Sequence, residues 1–286
     1  MDAWLAGAGR SNAWLYWALV MSLVVAEWLV PRRRASASLS VRWANNVALG
    51  FLGGYLLRWA VPLAGLGWAL VCQQYGWGVF NRWPAPAWLE LVVTLLAFDL
   101  MHYVQHRSLH AHAWLWRAHR THHSDQDFDF TTALRFHPLE VVITALVLAV
   151  VTTLLGASPL AVVLSQLLGM VSTFIEHANL RLPSRLDGLL RAIVVTPDMH
   201  AVHHSQAPGD TRANLSTTFS FWDRLFGTYR AEPCDGYERI VFGLEEFKDP
   251  KHLTVHWMLA QPFLRTPTAV LTPPLTSPDR RQPTAG

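Results

Sequence analysis

The sequence predicts an all-α, integral-membrane helical bundle with about four transmembrane helices. Hydrophobic residues make up 51% of the chain and charged residues only 15%, against about 25% in ordinary soluble domains. Long apolar stretches recur up to about residue 175, and histidines follow them in clusters at helical spacing. These observations indicate a membrane protein with a polar helical site attached to its bundle.

The first apolar stretch, residues 12–30, carries a single charge, Glu27, and is long enough to cross a hydrocarbon core of about 30 Å. Arg32, Arg33 and Arg34 follow it at once. A cleaved signal peptide places its positive charges before the apolar segment, so this order favours a retained anchor. Because arginine-rich flanks mark the cytoplasmic side, the N-terminus should lie outside and residue 32 inside.

Four further apolar stretches are candidates for membrane helices, namely residues 44–72, 86–103, 139–155 and 159–175. Arg58 and Pro62 interrupt the first, so it is either one tilted span or a span followed by an interfacial helix. Only residues 156–158 separate the last two, and Ser158 is a plausible N-cap before Pro159. This pattern predicts a hairpin that enters the bilayer and returns to the same side.

The chain divides into an N-terminal anchor region (1–85), a central region that holds the histidine clusters (86–232) and a C-terminal segment (233–286). The tail from about Thr266 is rich in Pro and Thr and is expected to be disordered. The net charge of +3 forms no basic stripe, so no nucleic-acid partner is expected. Cys72 and Cys234 stand alone, which leaves thiolate zinc sites, iron–sulfur clusters and disulfide frameworks unsupported.

Three histidine clusters have the spacing of a helix face: His106 and His110 in HRSLH, His119, His122 and His123 in HRTHH, and His200, His203 and His204 in HAVHH. A lone histidine is more often a half-buried side chain with a satisfied hydrogen bond. Three clusters within about 100 residues would bury unpaired imidazoles repeatedly, at a cost in free energy. Since a lone catalytic zinc needs only three protein ligands, eight imidazoles indicate two metal ions.

The residues between the histidines bear on the chemistry. Imidazole suits Zn, Cu, Fe and Ni, whereas Mg and Ca prefer oxygen ligands. Hydrolysis of the zincin type requires H-E-x-x-H, with a glutamate base inside the helical pair. The interior residues here, 107–109, 120–121 and 201–202, include no carboxylate. The pattern therefore favours redox chemistry at the metals, with no catalytic residue separate from the metal ligands.

Six motifs surround the clusters in order: D-x-x-x-Y-x-x-H-R-x-x-H (99–110), L-W-R-x-H-R-x-H-H-S (115–124), T-A-x-R-x-H-P-x-E (132–140), F-x-x-H-x-N (174–179), T-P-x-M-H-x-x-H-H-S (196–205) and F-W-D-R-L-F-G-T-Y (221–229). Together they resemble the fatty acid hydroxylase / sterol desaturase superfamily over roughly residues 90–230. The chain departs from that pattern at Asn214-Leu215-Ser216, where relatives usually read N-Y-G.

The resemblance implies an integral-membrane, non-haem di-iron enzyme that uses O2 and two electrons to hydroxylate or desaturate a fatty-acyl or sterol-like lipid. It implies a di-iron catalytic domain over residues 86–232, with its active site on the cytoplasmic side. The expected metal ligands are His106, His110, His119, His122, His123, His177, His200, His203 and His204.

Other polar residues receive weaker assignments. Asp99, His137 and Asn179 are candidates to support the ligand imidazoles, and His137 is also weighed as a ligand. His102 shares a helix face with His106, and support of the ligand imidazoles or packing is favoured over metal binding for it. The acidic run 124–129 is expected to be a solvated loop, and Glu176 could serve either the site or the packing. His112, His252 and His256 lack partners at ligand spacing and are expected to be structural.

The electrons must come from a separate donor, because the chain has no G-x-G-x-x-G motif and no cysteine set for an iron–sulfur cluster. A reductase, a ferredoxin or a b-type cytochrome is implied. Two alternative functions differ in where the histidines should lie. A bis-histidine haem protein needs isolated pairs facing each other across the bundle, and a membrane metal transporter needs ligands near the bilayer midplane.

The membrane topology gives a first prediction. Residues 32–42, 104–137 and 178–286 should lie in the cytoplasm, because the arginine-rich flank fixes the orientation of the first span and the hairpin returns to its own side. Reporter fusions at residues 120 and 210 should both report the cytoplasmic side. A fusion that reports the outside at either position contradicts this topology.

Overall fold

The computed structural model describes residues 2–35 and 38–265. Within these ranges the secondary structure is helical, and the only β-type pairings are two isolated bridges, Pro31 with Leu180 and Val194 with Phe219. The predicted all-α class is therefore confirmed. The tail from Thr266, for which disorder was expected, lies outside the described residues.

The described α-helices are α1 (Asp2–Leu29), α2 (Leu39–Ala60), α3 (Leu66–Gln74), α4 (Val79–Arg82), α5 (Ala87–Ala111), α6 (Ala113–His123), α7 (Pro138–Leu155), α8 (Pro159–Glu176), α9 (Ser184–Leu190), α10 (Pro197–His203), α11 (Phe221–Leu225) and α12 (Val255–Ala260). Short 3-10 segments lie at Phe130–Leu134, Tyr237–Arg239, Glu245–Phe247, Pro250–Leu253 and Gln261–Phe263.

Among the described residues, three helices are long and apolar enough to cross a membrane, namely α5, α7 and α8. The apolar part of α1, Tyr16–Leu29, is shorter. The total of about four spans therefore stays a prediction. The stretch 44–72, whose form was left open, is divided between α2 and α3. The break includes Pro62, which lacks the N–H that would continue a helix.

The predicted hairpin consists of α7 and α8 and turns at residues 156–158. Gly156 adopts a left-handed conformation at φ 64°, and the Ser158 hydroxyl caps α8 by accepting a hydrogen bond from the Ala161 amide at 3.3 Å. The Ser158 amide donates to Glu90 Oε1, in the first turn of α5, at 2.6 Å. The turn and the start of α5 therefore lie at one end of the bundle. All the histidine-bearing segments lie at the opposite end, called here the histidine end.

The outer surface of the hairpin is apolar. Leu146, Val150, Leu154 and Leu160 each expose half or more of their surface. Large contiguous apolar surface is unfavourable in water but suits contact with lipid tails. This surface supports an orientation in which α7 and α8 face the bilayer.

The acidic run 124–129 is buried and ion-paired, so the expectation of a solvated loop was wrong. Arg42 on α2 donates from Nε and Nη2 to Asp125 at 2.7 and 2.9 Å, and from Nη1 to Asp129 at 2.8 Å. Burial alone would raise the pKa of Asp125, but Arg42 and Arg135 hold it below its usual range. This buried ionic cluster, made of Arg42, Asp125, Asp129 and Arg135, fixes α2 against the segment that follows α6.

Arg42→Met should destabilise the protein by about 3–5 kcal/mol. The substitution leaves the carboxylates of Asp125 and Asp129 buried without the positive charge that pairs with them. The expected result is a lower melting temperature of the detergent-solubilised protein, measured by thermal unfolding. Arg34→Met changes an exposed arginine in the same way and is the matched control. Equal melting temperatures for the two variants would show that the cluster does not stabilise the fold.

Candidate metal centre

A one-residue reversal between α5 and α6 brings the first two histidine clusters together. His112 alone separates the helices, in an extended conformation at φ −113° and ψ 122°, so α6 packs back against α5. His106 and His119 consequently approach each other, with their Nε2 atoms 3.1 Å apart. The helical spacing predicted for both clusters is confirmed.

The third cluster begins at the expected N-cap. Thr196 accepts a hydrogen bond from the Met199 amide at 3.4 Å, and Pro197 occupies the first turn of α10. His177 ends α8 and lies against this helix, with its Nε2 atom 3.1 Å from Nε2 of His200. The same His177 atom lies 3.1 and 3.2 Å from the Nε2 atoms of His122 and His204 respectively.

The nine histidines predicted as ligands form two buried groups. Within each group the ring nitrogens that face one another all lie within 4.8 Å. The five-histidine group consists of His106, His110, His119, His123 and His203, and the four-histidine group of His122, His177, His200 and His204. Adjacent histidines therefore divide between the groups, since consecutive side chains on a helix point in different directions.

The donor atoms in these groups fit metal ions. In the five-histidine group, the Nε2 atoms of His110, His123 and His203 are buried and have no hydrogen-bond partner. Buried polar nitrogens are rarely left unpaired, because each loses its hydration without compensation. A cation at the centre of each group would satisfy the lone pairs that converge there, and imidazole suits iron, zinc, copper and nickel.

Backbone carbonyls set the tautomer of two ligands of the five-histidine group. His106 Nδ1 lies 2.9 Å from the Leu215 carbonyl, and His203 Nδ1 lies 3.0 Å from that of Ala213. A carbonyl can only accept, so each Nδ1 carries the proton and donates it. The Nε2 atom of each ring is then left with a free lone pair directed into the group, as in metal-binding histidines generally.

Burial keeps six of the nine imidazoles uncharged. It lowers the pKa of His177 to about 4, while the Thr173 carbonyl, 2.7 Å from its Nδ1, opposes the shift. Burial likewise lowers the pKa well below its ordinary value for His122, His123, His200, His203 and His204. The neutral ring is the form that binds a metal, so the centre is ready to accept cations at physiological pH.

Two glutamates lie behind the imidazoles. Glu140, in the first turn of α7, lies 2.8 Å from Nδ1 of His119. Sequence reasoning quoted it within a motif but did not assign it to the site. Its only signal was the H-P-x-E spacing. Glu176 has one carboxylate oxygen 3.7 Å from Nδ1 of His177 and the other 3.7 Å from Nδ1 of His200. Both glutamates are buried, and their carboxyl groups lie beside the Nδ1 atoms of histidines from both groups, where such groups commonly orient metal-binding imidazoles.

The loop that departs from the family pattern supports the site through its backbone. Asn214 adopts a left-handed conformation at φ 52°, and its side chain binds the backbone of Met199 and Arg230. The Asp223 carboxylate accepts the amides of Leu215 and Ser216 at 2.7 and 3.1 Å. The loop supports the histidines through backbone carbonyl groups, which every residue type has. Leucine and serine can therefore occupy positions 215 and 216.

Three residues expected to support imidazoles have their hydrogen-bond partners elsewhere. Asp99 accepts the amides of Thr218 and Phe219 and the Trp222 indole N–H, so it fixes the 218–222 loop. His137 caps α7 through Nδ1, while its Nε2 lies 3.3 Å from the Leu259 carbonyl. It belongs to neither histidine group.

The third of these residues, Asn179, pairs through its side chain with the backbone of Arg33 at 2.8 and 3.0 Å. It therefore joins the end of α8 to the segment after α1. Apart from the helix cap made by His137, sequence spacing could not reveal these partners, because they lie more than a hundred residues away in the chain.

A cavity of about 310 Å³ leads to both histidine groups. His106 and His119 of the first group and His122, His177 and His200 of the second line it. Away from the histidines its walls come from α2, α5, α7 and α8 and are mostly apolar, including Leu57, Leu109, Val141, Ala145 and Leu148. This arrangement can bring a largely apolar molecule to the metal groups while limiting access of water.

Comparison with known proteins finds similarity over the segment that holds the histidine groups. Residues 91–228 match the protein-family model described as fatty acid hydroxylase. The chain is 32% identical over 152 residues to an alkylglycerol monooxygenase from Xenopus tropicalis. The aligned region covers 53% of this chain and 32% of that protein. It is also 32% identical over 156 residues to an ornithine lipid hydroxylase from Rhizobium tropici, covering 54% and 45% respectively.

A cholesterol 25-hydroxylase-like protein from Danio rerio is 30% identical over 146 residues, covering 50% of this chain and 56% of that protein. The chain thus spans less than two thirds of the length of these curated relatives. No solved structure matches the chain significantly.

The two groups predict which substitutions lower the metal content. Purified wild-type protein should carry about two irons per chain. His203→Ala and His177→Ala should each lower that content toward about one, because each removes a donor from a different group. Elemental analysis of folded, monodisperse protein measures this.

His137→Ala is the matched control, since His137 is buried but belongs to neither group, and its iron content should stay near the wild-type value. Wild-type iron content in both His203→Ala and His177→Ala would show that these groups do not bind the metals.

Proposed function

We propose that this chain, whose residues 91–228 belong to the fatty acid hydroxylase family, is a membrane-bound di-iron oxygenase that hydroxylates a lipid. The observation that carries the proposal is the pair of buried histidine groups that open onto one mostly apolar cavity. Three relatives are named as lipid hydroxylases or monooxygenases, which supports hydroxylation over desaturation.

The ligand set supports redox chemistry. Nine imidazoles and no thiolate make up the two groups, and the helical histidine pairs enclose no carboxylate that could serve as a hydrolytic base. Iron bound in the two groups would supply the activation of O2 that attack on an unreactive C–H bond requires. In this proposal the nine histidines hold the metals, and O2 is the cosubstrate.

The remaining residues position the ligands and the substrate. Glu140 holds the His119 ring through Nδ1, and the Ala213 and Leu215 carbonyls hold His203 and His106. The apolar walls accommodate a lipid chain that arrives from the bilayer. They also keep bulk water away from the place where C–H oxidation occurs.

The active site lies on the cytoplasmic side in this proposal. The arginine-rich segment after α1 is attached to the histidine end of the bundle, where Arg32 Nε donates to Asp198 at 2.9 Å and Arg33 Nη1 to the Ile240 carbonyl at 2.7 Å. Since arginine-rich flanks mark the cytoplasmic side, the histidine end should share that side. An electron donor in the cytoplasm, either a reductase, a ferredoxin or a b-type cytochrome, would then have access to it.

The two alternative functions fit the geometry less well. The Nε2 atoms of the facing rings lie 3.1–3.2 Å apart, for example between His122 and His177, which leaves no room for a porphyrin between them. A transporter would place its ligands near the bilayer midplane. Here both groups lie at one end of the bundle, beside the termini of α5 and α8.

The proposed activity predicts oxygen transfer to a lipid. Iron-loaded protein in lipid vesicles, supplied with NADPH, a reductase and an electron carrier, should incorporate label from isotopically labelled O2 into a lipid hydroxyl group, detected by mass spectrometry. NADPH alone should give no turnover, because the chain contains no dinucleotide-binding motif.

His122→Ala should abolish incorporation, since it removes a ligand of the four-histidine group. The matched control is His256→Ala, which changes an exposed histidine outside both groups and should retain activity. Full activity of His122→Ala, or lipid oxidation without incorporation of label, would contradict the proposal.

A further inference from the structure

Two polar atoms on α5 face the substrate cavity without a partner. His102 Nε2 and Gln105 Oε1 are buried and make no hydrogen bond, and both residues line the cavity. Neither residue belongs to a histidine group. An unpaired polar atom in a mostly apolar enclosure destabilises the fold, so a group that pairs with these atoms would be favoured in the cavity.

The helix fixes where these atoms lie relative to the metal groups. His102 precedes the ligand His106 by four residues, so it occupies the same face one helical turn, or about 5.4 Å, further along the cavity. Gln105 lies three residues after His102. The two side chains therefore lie on neighbouring turns of one helix, in a cavity that Leu57 and Leu148 also line.

Neighbouring helices hold both side chains in place. Gln105 Nε2 donates to Thr144 Oγ1 on α7 at 2.5 Å, which leaves Oε1 as an acceptor. His102 packs against α8 at Gly169, where a Cβ atom would come within 3.6 Å of the imidazole Cε1. The cavity thus has a polar site whose two side chains are held by neighbouring helices.

We infer that the substrate is a lipid with a hydroxyl group, and that this hydroxyl binds between His102 and Gln105. The inference rests on the proposed lipid hydroxylation. A hydroxyl suits both atoms because its O–H can donate to Gln105 Oε1 while its oxygen accepts from His102 Nε2–H. His102 lies one helical turn from His106 and Gln105 immediately precedes it, so the oxidised carbon is within a few bonds of that hydroxyl. The distal end of the acyl chain is not the target.

Binding of two matched probes tests the inference. Hexadecan-1-ol can donate a hydrogen bond, whereas 1-methoxyhexadecane has the same chain and oxygen but no donor. Purified, iron-loaded, full-length protein in detergent should bind the alcohol about tenfold more tightly, the worth of a hydrogen bond with a buried acceptor. Affinities are measured by competition against a fluorescent lipid.

Variants identify the residues responsible. Gln105→Leu and His102→Leu should each reduce the alcohol-to-ether affinity ratio by about fivefold or more, while iron content stays near wild type. Val141→Leu alters the apolar wall and should change both affinities equally, leaving the ratio unchanged. Since each probe partitions into detergent in the same way for every variant, the ratio isolates the contacts in the cavity.

A wild-type ratio near one would overturn the inference and would mean that water alone pairs with the two atoms. So would an equal fall in the ratio for Val141→Leu. Failure of the proposed function has a different signature, because the binding ratio would be retained while no lipid acquired label from O2. The wild-type comparison requires no substitution, so it decides the matter even if a variant fails to fold.

Discussion

Nine imidazoles must be held at close range inside the histidine end of a membrane bundle, and the rest of the structure depends on this constraint. Their lone pairs converge, so the rings do not attract one another until a cation binds. Each ring must be fixed from behind by the protein. Carbonyl groups serve His106, His177 and His203, and Glu140 serves His119, so each of these rings turns its other nitrogen inward.

Buried carboxylates provide much of this support indirectly. Asp223 binds the amides of Leu215 and Ser216, and Asp99 binds those of Thr218 and Phe219. The loop held in this way presents the carbonyl groups that orient two ligands. A chain of hydrogen bonds therefore leads from carboxylate to backbone to imidazole, as is common around metal sites. Glu140 instead binds its imidazole directly.

Helical spacing was enough to locate eight of the nine histidines, because neighbours three and four residues apart share a face whatever the rest of the fold does. His177 stands alone in the sequence, and only the family resemblance pointed to it. The spacing did not show how the histidines divide between the two groups. His122 and His123 belong to different groups, and so do His203 and His204. The roles of Asp99 and the acidic run also escaped prediction, since their partners are distant in sequence. Asp125, for instance, pairs with Arg42, 83 residues earlier.

The site therefore needs more of the chain than the segment shared with the family. Arg42, which lies before residue 91, supplies hydrogen bonds to the buried Asp125 and Asp129. Without α2 these carboxylates would lose those bonds within a few residues of the ligand His123, and a buried unpaired charge is costly. The Gln261 side chain, from beyond the segment, accepts from the Ser124 hydroxyl beside that same histidine. The N-terminal helices and the C-terminal segment thus help to position the segment that carries His122 and His123, in addition to any role as membrane anchors.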